Sequence, residues 1–254
     1  GWPDGERFAR EARFLKRSVE TSLRRADNGR DDRAMPPSPY RGVDAGSIGS
    51  LAAGYPLQLY SPNDDRLLDT VRALREQCFV NGAFFQEMIH SGLNPYLSLH
   101  VAQVLLRAGD DDFWPIVRSV ADLASPTGKW PEAVHPRTGG GCMGDGEHGW
   151  AAADWILMIR NLFLREEGKD RLFLGEGIPK DWLNTGQDLS IGPTGTAFGS
   201  VQLDVVPSER GLRVDFDSET SARTPEVTTE FSGYECRTKR EDRFEIVLEP
   251  VEPS

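Results

Sequence analysis

Carboxylates, histidines and aromatics gather in three stretches of this sequence, each rich in glycine or proline. The first, residues 36–51, holds Arg41 and Asp44. The second, residues 81–96, holds Glu87, His90 and the triplet Asn94-Pro95-Tyr96. The third, residues 127–150, holds Trp130-Pro131-Glu132, His135, a glycine run with Cys142, then Asp145, Glu147, His148 and Trp150. Stretches of this length without regular structure of their own are functional or disordered, and aromatics inside each argue against disorder. Glu132 stands between Trp130 and His135 in a turn flanked by prolines, a rigid mount for a carboxylate acting as a base. The plainer alternative is a solvated surface Glu. Asp145, Glu147 and His148 precede a helical stretch, where carboxylates also serve as caps and dipole partners. Asp44 and Arg41 either present a carboxylate to a ligand or close their own loop as an ion pair.

Several other chemistries fit these residues poorly. The glycine run over residues 138–146 invites a phosphate-loop reading, but it lacks the Gly-Lys-Ser/Thr ending and carries acidic residues that repel phosphate. Ala45-Gly46-Ser47-Ile48-Gly49 fails the Gly-x-Ser-x-Gly nucleophile elbow at its first position. His135, Cys142, Asp145 and His148 have a spacing that matches no standard metal site. The three cysteines, Cys78, Cys142 and Cys236, include no Cys-x-x-Cys pair, so neither structural zinc nor any cofactor is expected. His90 and His100 read as a loop residue and a helix-face residue.

The elements that must hold these stretches change character along the chain. Up to about Asp170 the apolar period is helical. Phe8, Ala12, Leu15, Val19 and Leu23 form one face of a first helix, with Asp4 as N-cap and Asn28-Gly29 as a stop. A second helix begins near Asn63 and aligns Leu67, Leu68, Val71, Leu74 and Cys78. A third opens at Asn94, with Pro95 in its first turn where a missing N–H costs nothing. A fourth follows Asp110-Asp111 through Phe113, Ile116, Val117 and Val120. A fifth runs from about Gly146 to Glu166 and is apolar around much of its circumference, which predicts deep burial. Beyond Asp170, Val201, Leu203 and Val205 alternate with polar residues, as do Leu212, Val214 and Phe216, then Phe244, Ile246 and Leu248. Such alternation, broken by turn residues, reads as short antiparallel strands. The expected organisation is therefore a helical unit over residues 1–170, built of stacked hairpins, and a small β unit over residues 171–254.

The 254 residues suffice for one large or two ordinary domains. A net charge of -11 repels phosphate backbones and anionic lipid, so neither nucleic acid nor a membrane is an expected partner. The longest apolar runs are too short for a bilayer span. The odd, sparse cysteines lean towards a reducing, cytoplasmic setting over secretion. The start at Gly1-Trp2-Pro3, without Met, reads as a fragment or a processed product.

A short segment with a Glu, a variable loop, then a Trp-bearing helix start, as in Trp130-Pro131-Glu132 through Trp150, resembles the glucoamylase pattern. Asn94-Pro95-Tyr96 is similar to that family's Gly-Asn-Pro-Trp helix start. The segments from Leu172 to Leu183 and Thr196-Ala197-Phe198-Gly199 resemble bacterial rhamnosidase-type members, in which a β-sandwich follows the catalytic part. Together these touch roughly three quarters of the chain and point to the six-hairpin glycoside hydrolase superfamily. The resemblance implies a mainly α fold, part of an (α/α)6 toroid of helical hairpins, with a C-terminal antiparallel β-sandwich-like domain. It also implies an inverting mechanism with Glu132 as the general base. Such a reaction needs a second, acidic carboxyl group about 6.5–9.5 Å away, leaving room for the water.

In this resemblance Asp145 and Glu147 are second-rank candidates for the base. His148 and Asp44 would bind sugar hydroxyls, with Arg41 orienting Asp44. Tyr96, Trp130 and Trp150 complete the candidate substrate contacts, the two tryptophans offering faces for a sugar ring, with a core role on the apolar helix the equal alternative for Trp150. Glu87 matches an acidic position of glucoamylases, but the Arg that opens that family segment is Ala83 here, which puts glucose specificity in doubt. In that superfamily the general acid lies several helices before the base. It is therefore expected upstream of Gly1, on a missing N-terminal half of the barrel from the same parent protein or another chain, with Glu87 or Asp44 as the alternatives. The expected partner is an oligosaccharide or glycoside. A glycoside phosphorylase of related fold and a non-catalytic carbohydrate-binding or scaffold fragment are the competing readings.

Overall fold

A computed structural model of the protein describes residues 4–27, 33–87, 91–208, 211–220, 225–240 and 245–250, with side chains described outside 217–220 and 235–250. Phe244, expected in the last strand, and His90 lie outside the described residues. The chain forms two compact units, Gly1–Ala152 and Ala153–Ser254.

The first unit opens with helix α1, Gly5–Ala26. A 3-10 helix, Ala45–Ala53, follows, then α2, Asp65–Cys78, α3, Pro95–Arg107, and α4, Phe113–Asp122. Their starts follow from side-chain chemistry. Asp64 accepts a bond from the Arg66 backbone N–H at 3.0 Å, and Asn94 one from Leu97 at 3.0 Å, so each relieves an orphan donor of the first turn. The expected apolar faces form the core, with Leu67, Val71, Leu74 and Cys78 buried on α2 and Phe113, Ile116, Val117 and Val120 on α4. Helix α3 is buried on almost every side. Its Arg107 is buried too, and donates to the Gly54 carbonyl at 3.0 Å and the Tyr60 carbonyl at 2.9 Å, tying the end of the 3-10 helix to α3.

The polar stretches between these helices are not irregular. Five short strands, β1 (Phe79–Val80), β2 (Ala83–Gln86), β3 (Gly92–Leu93), β4 (Ala133–Val134) and β5 (Gly141–Met143), pair in sequence order as one antiparallel sheet. The pairing of Leu93 with Val134 joins the second stretch to the third. Gly92 permits this close approach, because a Cβ there would stand 2.9 Å from both the Ala133 Cβ and the Cys142 Sγ.

Helix α5, Gly149–Phe163, is followed in the second unit by β6 (Leu164–Glu167) and β7 (Arg171–Leu174), then the short α6 (Lys180–Leu183). Five strands then form an antiparallel sheet in the order β12-β13-β10-β9-β8. They are β8 (Leu189–Thr196), β9 (Gly199–Ser208), β10 (Gly211–Thr220), β12 (Tyr234–Arg240) and β13 (Glu245–Pro250). Val205 pairs with Val214 and Leu203 with Phe216, so the alternating apolar residues lie on one buried face. The remaining strand, β11 (Glu226–Thr229), runs parallel to β7 in a three-stranded sheet with β6.

Three expectations about the fold need correction. The chain is not mainly α, and no toroid of hairpins is evident, because helices share the chain with three sheets. The stretches that were to link hairpins pair with one another as a sheet instead. The second unit is likewise not a pair of antiparallel sheets, since one of its two sheets has three strands and contains the parallel β11–β7 pair. Helix α5 also departs from the deep burial predicted for it. Ala151, Met158 and Leu162 are buried, while Trp150, Ile156 and Leu157 are exposed, so only one face is covered.

Candidate functional site

Glu132 lies immediately before β4, on a turn clasped by the segment after β5. Its N–H donates to the Met143 carbonyl at 3.1 Å, and the His148 N–H donates to the Trp130 carbonyl at 2.8 Å. Gly144, at a φ of 79°, lies against the Glu132 backbone. Main-chain bonds thus hold the turn at Trp130 and at Glu132 itself. Glu132 is half-buried, and among the described residues no hydrogen bond or ion pair engages its carboxylate.

An aromatic group stands at the same end of the sheet, where β3 runs into α3. The Tyr96 ring packs 5.3 Å from His148, 5.5 Å from Trp150 edge-on, and 5.7 Å from His100. His148 and Trp150 are 5.7 Å apart. Trp150 is 66% exposed, so a broad indole surface faces solvent. The Nδ1 of His148 is buried with no hydrogen-bond partner among the described residues. His100 was not among the candidates, although the Tyr96–His100 spacing of one helical turn carries the signal.

Trp130 serves differently. It is buried, and its indole N–H donates to the Val120 carbonyl at 2.8 Å, which anchors the Glu132 turn to the end of α4 and leaves no face for a ligand. Asn94 is fully buried. Besides capping α3 it donates to the Gln86 side chain at 3.2 Å, so the start of α3, where Tyr96 sits, is fixed to β2.

The other carboxylates have partners or lie elsewhere. The antiparallel register settles the position of Glu87. Gln86 pairs with Gly92 at the start of β3, whereas the start of β4, next to Glu132, lies beyond the end of β3. Glu87 and Glu132 are therefore at opposite ends of the sheet. Asp145 accepts the Glu147 N–H at 3.0 Å, and Glu147 is ion-paired with Lys129 at the surface. Asp44 pairs with Arg41, accepts the Gly46 N–H at 2.8 Å and caps the 3-10 helix, so the pair closes its own loop. Burial pushes the Cys78 thiol up, and the negative charges of Glu87 and Asp44 add to that. His135 uses Nδ1 to accept the N–H groups of Arg137 and Thr138, both at 3.2 Å, and closes its own turn. A separate open groove of about 540 Å³, lined by Leu68, Arg75, Leu105 and Asp112 among others, includes none of the candidate residues.

No protein-family profile matches the chain, and no curated protein matches it. Among solved structures, it is similar to a glycosidase variant with a TM-score of 0.50 at 19% identity, over 64% of this chain and 46% of that one. A second glycosidase variant matches with a TM-score of 0.49 at 19% identity, again over 64% and 46%. A wild-type glycosidase matches at 0.41 and 23% identity, over 49% and 37%. The first likeness is one of fold, and the chain spans a little under half of that glycosidase.

Proposed function

We propose that this chain is part of an inverting glycoside hydrolase acting on a terminal bond of a neutral oligosaccharide or glycoside, with Glu132 as the general base. The observation that carries the reading is an unpaired, half-buried carboxylate on a turn fixed by backbone bonds, at the same sheet end as an open aromatic face. A base must accept a proton from water in a set geometry, and a rigid mount supplies that geometry. Trp150 and Tyr96 offer an apolar face for a sugar ring, and the unpartnered Nδ1 of His148 is a polar group that a bound hydroxyl would pair. The glycosidase-like fold adds weight.

The general acid in this reading comes from polypeptide outside this chain, in the same parent protein or in another chain. In support, the strand register sets Glu87 apart from Glu132, and Glu147 is ion-paired with Lys129. The same arrangement favours a second reading, a carbohydrate-binding fragment without turnover. A phosphorylase would need a cation for phosphate near Glu132, and Lys129 is already paired. The test is to incubate the natural polypeptide with a panel of neutral oligosaccharides and glycosides and to follow the first product by proton NMR. Release of the inverted anomer in phosphate-free buffer is expected. A retained anomer or phosphate-dependent release sinks the mechanism, and sugar binding without release leaves the second reading in its place.

A further inference from the structure

Helix α1 has 22 residues and no buried side chain. Phe8 is 61% exposed, Leu15 63% and Val19 42%. With Ala12 they form one stripe at spacings of four, three and four, which continues through Leu23 and Ala26 where the helix is half-buried. The ion pair of Glu20 with Arg66, at 3.5 Å, ties this end to α2. Most of a helix's stability in a protein comes from packing its apolar face, and among the described residues the α1 stripe has nothing packed on its first half. Alternating spacings of three and four are those of a helix–helix seam. The polar sides of α1 carry seven Lys or Arg against three Glu, although the whole chain has a net charge of -11.

We propose that the α1 stripe is a docking seam for an amphipathic helix with acidic flanks, supplied by polypeptide outside this chain. The basic flanks of α1 select carboxylates on the partner. They also disfavour α1 of a second copy, which would bring like charges together. An anionic membrane would attract α1 but repel the strongly acidic remainder of the chain. The likeness to a glycosidase extends over 46% of that protein, and the part beyond the match is where such a helix is sought. The seam does not depend on the chemistry at Glu132.

The experiment uses a fluorescein-labelled synthetic helix with a leucine stripe and glutamate flanks, and the same helix with lysine flanks, titrated by fluorescence anisotropy. Saturable binding of the glutamate form is expected, at least tenfold tighter than the lysine form. Leu15→Glu and Val19→Ser should each weaken it at least tenfold with unchanged circular dichroism and melting, since both positions are exposed already. Glu132→Gln should leave it unchanged, so a failure here does not count against the hydrolase reading. Absence of binding, or equal binding of both helices, overturns the proposal. So does a dimer in sedimentation velocity that Leu15→Glu abolishes, which would give the seam to a second copy. Binding to phosphatidylserine vesicles that the same change abolishes would overturn it in favour of a lipid surface.

Discussion

Trp130 and Trp150 are the same residue type twenty positions apart, and their roles diverge because of what each ring can reach. Trp130 points its N–H at the Val120 carbonyl and becomes part of the core. Trp150 starts a helix with one covered face and stays 66% exposed, held edge-on by Tyr96. Trp150→Ala is therefore expected to leave stability nearly unchanged but to weaken binding of a neutral oligosaccharide about tenfold, measured by calorimetric titration of the natural polypeptide. Unchanged affinity would remove the indole from the site. Clustering of polar and aromatic residues in loops drew attention to the stretches holding Glu132, Tyr96, His148 and Trp150, and the resemblance to glucoamylases singled out Glu132 as the base. They did not separate the buried indole from the open one, since a tryptophan in a turn has the same signature whichever way its ring faces. They also let Glu87 stand beside Glu132 as an alternative acid, although the strand register sets the two positions apart.

At the level of elements, helices were legible and the shortest strands were not. Leu67, Val71 and Leu74 repeat at helical spacing over about two turns, and Asn94-Pro95 marks a start that the structure reproduces. A strand of two residues, such as β3 or β4, cannot display a period of two, so the sheet under the candidate site left no pattern to read. β9 and β10, ten residues each, did. The β6–β7 hairpin holds two buried charges, Arg165 and Glu167. Arg165, on β6, pairs with Glu167 at 2.6 Å and Glu176 at 2.6 Å, and its guanidinium lies 4.5 Å from the Phe173 ring. Burial holds the Glu176 carboxyl above its ordinary value of 4.5, and this outweighs the opposing pull of Arg165. The folded state thus binds that proton more tightly than the unfolded chain. Its contribution to stability is greatest at low pH and declines as pH rises from about 4.5 through the raised value. Glu176→Gln keeps an acceptor for Arg165 and removes the proton. Melting temperatures across this range should fall with pH more steeply for the unaltered protein than for the variant, and the reverse order would contradict the assignment.

For the whole molecule, one unit with a helical core carries the candidate site and a second is built mostly on sheets. The mainly α toroid came with the resemblance to six-hairpin glycosidases, and it failed because short motifs shared with a family do not carry the pairing of the two- to four-residue strands between the helices. The exposed faces of α1 and α5 were invisible for a related reason, since periodicity shows which residues share a face but not whether anything covers it. The account nevertheless rests on one carboxylate. Its most direct measurement is kcat and oligosaccharide Kd for the natural polypeptide and its Glu132→Gln form, side by side. A general base predicts kcat lower by about 10²–10⁴-fold with Kd and melting temperature little changed. An unaltered kcat, or a loss carried entirely by weaker binding, would contradict it and return Glu132 to the standing of a loop carboxylate.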